Sequence, residues 1–146
     1  MEDLKQTIED ILCGQALEIT KIQCIETLCQ GVQKNHSSFV EEILVRVLRH
    51  DKNSVIRHEA AFALGRLCAS QAISGHMAVD ALCKSANEDL SLLVRHEAVE
   101  SLGFVPHPNA LKTLSVLLNH PDSDISQTAE IALQRQFKGV ESASPR

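Results

Sequence analysis

The sequence contains no tryptophan and no tyrosine, and only four phenylalanines in 146 residues. That leaves little from which to build the aromatic platforms on which bases and sugars stack. No apolar run approaches the roughly 20 residues that cross a bilayer, so no membrane partner is expected. The stretch Met1-Glu-Asp-Leu-Lys-Gln lacks the basic region and apolar core of a secretory signal, and cytoplasmic residence is the expectation. Clustered Lys and Arg are missing as well. With a net charge of -5 and a pI near 5.8, the chain is a poor match for a phosphate backbone, so no nucleic-acid partner is expected and a basic protein or peptide fits better. There is no CxxC, no Gly-rich phosphate loop and no G-x-S-x-G elbow. The five cysteines, Cys13, Cys24, Cys29, Cys68 and Cys83, are odd in number and read as reduced, mostly buried thiols.

Strand-like alternation is absent too, and apolar residues recur at spacings of three and four, which predicts an all-α chain. Four helix pairs are expected. The first joins a helix over Glu2 to Cys13 to one over Ala16 to Val32; the second starts behind His36-Ser-Ser and turns at Asp51-Lys-Asn-Ser54. The third starts near Ser74-Gly75 and turns at Asn87-Glu-Asp89. The fourth opens after Pro106-His-Pro108, turns at His120-Pro-Asp-Ser123 and ends near Phe137. Residues 1–138 read as one HEAT-like α-solenoid domain, and 139–146 as a disordered tail.

What the chain does have is one stretch and its copy. Val55-Ile-Arg-His-Glu-Ala-Ala-Phe-Ala-Leu-Gly65 superposes without a gap on Leu93-Val-Arg-His-Glu-Ala-Val-Glu-Ser-Leu-Gly103, 38 residues later. Six of the nine positions from Arg57 to Gly65 recur as the same residue. A helical period of that size is the mark of a two-helix repeat. On a helical wheel with Ile56 at zero, Ala60, Ala63, Leu64 and Leu67 form the stripe that faces the first-helix layer, and His58 falls near 200°. Ala61, Gly65 and Phe62 lie with it. Drawn from Val94, the wheel places His96 outward with Val99, Gly103 and Glu100. Both histidines are therefore expected on an open, apolar face that a partner covers, close enough on adjacent helices to share an ion.

Glu59 and Glu97 follow their histidines directly, so each is a candidate ligand or a group that orients one. Two histidines and a carboxylate make the facial set suited to oxygen-activating ferrous iron. The candidate metal residues are thus His58, Glu59, His96 and Glu97. The competing explanation is plain duplication of a repeat whose His-Glu pair is surface decoration on a protein–protein scaffold. Against it, the fourth repeat aligns Gln127 and Thr128 at these positions, and the first Ile22 and Gln23. Arg57 and Arg95 read as bridges between repeats. His36, His50, His76, His107 and His120 fall in caps and turns and read as surface histidines.

The two Arg-His-Glu-Ala segments and the glycines that close them resemble the His-Glu motifs of the deoxyhypusine hydroxylase family, HEAT-repeat proteins built of PBS lyase HEAT-like units. The resemblance implies a non-haem di-iron monooxygenase that uses dioxygen to hydroxylate the deoxyhypusine side chain of a translation factor. It covers nearly the whole chain but only one of the family's two halves. The family carries four His-Glu pairs, with its irons between the halves, whereas this chain carries two. A homodimer would restore the set, with two Fe per dimer. The resemblance favours Glu97 over Glu59 as a direct ligand. Glu100 is the nearest rim carboxylate for a basic substrate; catalytic residues beyond the metal set are unassigned.

Overall fold

The computed structural model describes residues 2–143, with side chains described through Lys138. Eight α-helices are present and no strand occurs among the described residues: α1 (Glu2–Cys13), α2 (Glu18–Gln30), α3 (Ser37–His50), α4 (Ser54–Ala69), α5 (His76–Glu88), α6 (Leu92–Leu102), α7 (Pro108–Leu117) and α8 (Ser123–Ala143). A 3-10 turn over Lys34–His36 leads into α3. The four expected pairs are all there. Helix α8 runs past the expected end near Phe137, and Ser144 to Arg146 of the expected tail lie outside the described residues.

Odd helices pack on odd helices and even on even, giving two layers. Between them Leu44, Leu48, Ile56, Leu64, Leu82, Val94, Leu102 and Leu114 are fully buried. This is the stripe that the three-and-four spacing marks out. Its burial, at about 25 cal/mol per Å² of apolar surface, is what holds the layers together.

The turns between paired helices are built alike. Asp51, Asp89 and Asp122 each accept, through Oδ1, the backbone N–H two residues on, at 2.8, 2.8 and 2.9 Å. The other oxygen of Asp51 receives Lys21 Nζ from the preceding repeat at 2.6 Å. In the same way Asp89 is gripped by Arg57, whose Nε donates to Oδ2 and whose Nη2 donates to Oδ1, each at 2.9 Å. Arg57 also donates to the carbonyls of Asp51 and Lys52. One arginine thus fixes the turn of its own repeat and that of the next. Its copy, Arg95, makes no such ion pair among the described residues, and its Nε is buried without a partner.

Two helix ends are satisfied from neighbouring helices. Glu41 of α3 is buried, and its Oε1 accepts the N–H groups of Met77 and Ala78 at 2.9 and 3.0 Å at the start of α5, while Ser74 donates to Oε2. Such a carboxylate both satisfies orphan donors and complements the helix dipole. The entry to α5 bends through Gly75 at φ 83°, a conformation glycine adopts without strain. At the far end of α6, the Gln136 amide of α8 donates to the carbonyls of Leu102 and Val105.

The face expected to lie open is largely closed. Ala61, Gly65, Val99 and Gly103 are buried; of that set only Phe62 is exposed, at 45%. The reason is the approach of the even helices to one another. A Cβ on Gly65 would lie 2.5 Å from Ser101 Oγ and 2.9 Å from Ser101 Cα, and one on Gly103 would lie 3.0 Å from Ala132 Cα. Ser101 Oγ donates to the Ala61 carbonyl at 2.8 Å across the same contact. The glycines bring α4 to α6 and α6 to α8; they do not wait for an outside partner. The cysteines also differ from expectation: all five are free, but only Cys68 is buried, and Cys13 is exposed.

Candidate metal centre

His58 and Glu97 come from different repeats. On the wheel His58 sits at the edge of the buried arc of α4 on the α6 side, and Glu97 at the edge of α6 on the α4 side. The close helix contact set by Gly65 and Ser101 makes these edges meet. His58 Nε2 lies 3.2 Å from Glu97 Oε2, with side-chain exposures of 24% and 11%. Glu59, on the other flank of His58, places Oε1 3.6 Å from Nδ1. Burial pushes the Glu97 carboxyl above its ordinary pKa; the neighbouring Glu100 adds to that shift, and His58 and His96 oppose it.

His96 occupies the same place one seam further on. Its Nε2 is 2.9 Å from the Thr128 hydroxyl of α8. Thr128 stands at the position a motif glutamate would occupy in the fourth repeat. A single rule covers both contacts: the histidine position of one repeat meets the glutamate position of the next. Each imidazole thus engages the following helix, His58 at Glu97 of α6 and His96 at Thr128 of α8. Thr128 is the site residue that the sequence reading passed over, and its alignment with Glu59 and Glu97 was the available signal. Glu100 is half-buried on α6 near Glu97.

The donor chemistry fits a first-row metal ion. Donors about 2.1 Å from a metal, at right or tetrahedral angles, stand about 3.0 to 3.4 Å apart, and His58 Nε2 and Glu97 Oε2 have that spacing. A complete set is not gathered in one chain: among the described residues no group of three or more His, Cys, Asp or Glu is placed to hold an ion. One chain presents a pair of donors, with His96 and Glu59 at its margins. Around the pair, Val55, Phe62, Leu92, Leu93 and Ile131 are exposed. Each lies three or four residues from His58, His96 or Thr128, on the same helix faces.

Comparison with known proteins points to the same helical-repeat fold. The profile of the PBS lyase HEAT-like repeat matches residues 56–88, the second helix of one repeat and the first of the next. Deoxyhypusine hydroxylase-B of Oryza sativa subsp. japonica is 37% identical over 102 residues, which are 64% of this chain and 32% of the relative. Deoxyhypusine hydroxylase of Debaryomyces hansenii is 32% identical over 137 residues, 89% of this chain and 42% of the relative. This chain is a HEAT-repeat relative of deoxyhypusine hydroxylase. The human deoxyhypusine hydroxylase is 32% identical over 100 residues. Its solved structure, in complex with glycerol, superposes with a TM-score of 0.77 at 20% identity, over 99% of this chain and 48% of that one. That superposition establishes the fold. The chain spans less than half the length of these hydroxylases. No helix among the described residues is long and apolar enough to cross a membrane.

Proposed function

We propose that this chain binds iron through His58, His96 and Glu97, with Glu59 at the margin, as one half of a di-iron site completed by a second copy of the chain. In that dimer it acts as a dioxygen-dependent monooxygenase on a basic side chain of a protein or peptide. The observation that carries the reading is the seam between α4 and α6, where an imidazole nitrogen and a largely buried carboxylate stand at ligand-pair spacing. The exposed apolar residues around that pair support a second copy as the missing half, since a two-fold contact brings a patch against itself.

Ferrous iron held there supplies the one-electron chemistry with which dioxygen is activated. The chain's own residues do the rest. Glu97 meets a cation as a carboxylate already stripped of most of its water, which strengthens its hold. His58 Nε2, beside that carboxylate, is the second donor of the pair. The apolar rim of Phe62, Leu92 and Leu93 excludes water when covered. Glu100, near Glu97 on α6, offers a negative charge to a basic substrate.

The test is elemental analysis of protein expressed with iron, together with its mass in solution. Near one iron per chain in a dimer, lost in His58→Ala and Glu97→Ala while the helical spectrum persists, is the expected result. A metal-free monomer after iron loading sinks the proposal.

A second reading is a non-enzymatic scaffold that docks another protein. It is favoured by the incomplete donor set of one chain and by the exposed leucines Leu90, Leu92 and Leu93 at the start of α6. Under that reading strong chelators leave the mass and thermal stability unchanged.

A further inference from the structure

The Thr128 hydroxyl makes two short contacts and owns one proton. It lies 2.6 Å from the Asp124 carbonyl and 2.9 Å from His96 Nε2. A carbonyl only accepts, and two oxygens do not approach to 2.6 Å without a proton between them. The hydroxyl proton therefore goes to Asp124, and Thr128 has only lone pairs left for His96. It follows that His96 Nε2 carries the hydrogen and donates it. In the neutral ring the free electron pair then sits on Nδ1.

We infer that Thr128 is a positioning residue: it holds His96 in the Nε2–H tautomer with its ring fixed against α8, so that Nδ1 is the nitrogen His96 offers to a ligand. At His58 the equivalent place is filled by the Glu97 carboxylate. The two motif histidines thus differ in what faces them, one a charged carboxylate and the other a neutral hydroxyl committed to its own helix. The fourth repeat therefore lacks a motif glutamate without leaving a gap, because a hydroxyl is what its seam uses.

The tautomer assignment stands on the metal-free chain alone; its consequence for metal binding rests on the reading proposed above. Two readouts keep them apart. The first is long-range 15N–1H NMR of the imidazoles in metal-free protein near pH 8.5, about two units above the ordinary histidine pKa, with the His96 signals assigned by their loss in His96→Asn. The expected result is Nε2–H in the wild type and in Thr128→Ser, with a mixture or the opposite tautomer in Thr128→Val, which keeps the shape and removes the hydroxyl. A wild-type ring protonated at Nδ1, or the same tautomer in Thr128→Val, overturns the inference. The second is anaerobic titration with ferrous iron. Removing a group that orients a ligand is expected to weaken binding about 10- to 100-fold in Thr128→Val, with recovery in Thr128→Ser. Equal affinities in wild type and Thr128→Val overturn the positioning role. A wild type that binds no iron sinks the proposed function and leaves the tautomer result to decide Thr128.

Discussion

Replacing Gly65 by alanine sets two effects of opposite sign against each other. In an isolated helix the change stabilises by about 0.8 to 1.0 kcal/mol. Here the new methyl carbon would stand 2.5 Å from Ser101 Oγ, 2.7 Å from Ser101 Cβ and 2.9 Å from Ser101 Cα, well inside contact distance and partly against backbone. Overpacking of that kind costs about 1 to 3 kcal/mol. Turning Ser101 aside also loses its hydrogen bond to the Ala61 carbonyl, about 0.5 to 1.5 kcal/mol more. The sum is a net loss of about 0.5 to 3.5 kcal/mol, and at a typical urea slope of about 1.5 kcal/mol per M the midpoint falls by about 1 M. The control is Gly31→Ala, where nothing lies within 4 Å of the added carbon and the midpoint is expected to hold or rise. Ser101→Gly in the Gly65→Ala background removes the obstructing side chain and should recover part of the loss. Urea unfolding followed by circular dichroism reads all four proteins. A Gly65→Ala midpoint at or above that of the wild type would refute the claim that this glycine sets the approach of α4 to α6.

Other consequences can be tested alongside. Burial pushes the Asp89 carboxyl up, but the Arg57 fork and the Ser91 amide outweigh it and hold it below the ordinary carboxylate pKa. A pKa lower in the folded than in the unfolded chain contributes stability that is complete above about pH 3.9 and lost as pH falls through the folded value. Asp89→Asn is therefore expected to lose about 2 kcal/mol at pH 7, with its deficit against wild type closing below about pH 4 in urea midpoints taken across pH. A deficit independent of pH counts against the ion pair. Glu41→Ala leaves the Met77 and Ala78 amides without acceptors and should cost about 1 to 2 kcal/mol, with Glu41→Gln, which keeps an acceptor, costing less. Among the thiols, exposed Cys13 should alkylate first at about pH 8 and Cys68 last, because burial pushes the Cys68 thiol up to about 12. Mass spectrometry of the native protein gives the order, and early labelling of Cys68 would contradict its burial beside Gly75.

The helices and their pairing were legible because apolar spacing and turn residues are local signals. Asn53 accepts from Val55 N as a capping asparagine does, and Pro108 opens α7 as the sequence requires. The 38-residue offset singled out His58, Glu59, His96 and Glu97 as candidates from the sequence alone. Less legible was what lies beside them. A helical wheel gives an angle and not a neighbour, so the arc holding Ala61 and Gly65 looked open when α6 covers it. Small residues on that arc were read as an unfinished surface, whereas their smallness lets the next helix approach. The reach of Glu41 to α5 and of Gln136 to the end of α6 left no mark in the sequence, because each joins residues more than 30 positions apart with no recurring pattern. Helix α8 continues through Gly139, beyond the end near Phe137 that the apolar spacing marks.

The meeting of one repeat's histidine with the next repeat's glutamate position means that no single repeat owns a complete pair. Cut out alone, the α3–α4 unit keeps His58 and Glu59 but loses the carboxylate that faces His58, and the α5–α6 unit keeps Glu97 but loses its imidazole. A stack of four units has three joints, and the facing side chains belong to the joints. Copying one unit therefore does not copy the pair; it creates a new joint whose character depends on what stands on both sides. Gln127 and Thr128 in the last unit are then not the worn remains of a motif. They are the far side of the final joint, and a change there rewrites His96 from a helix away.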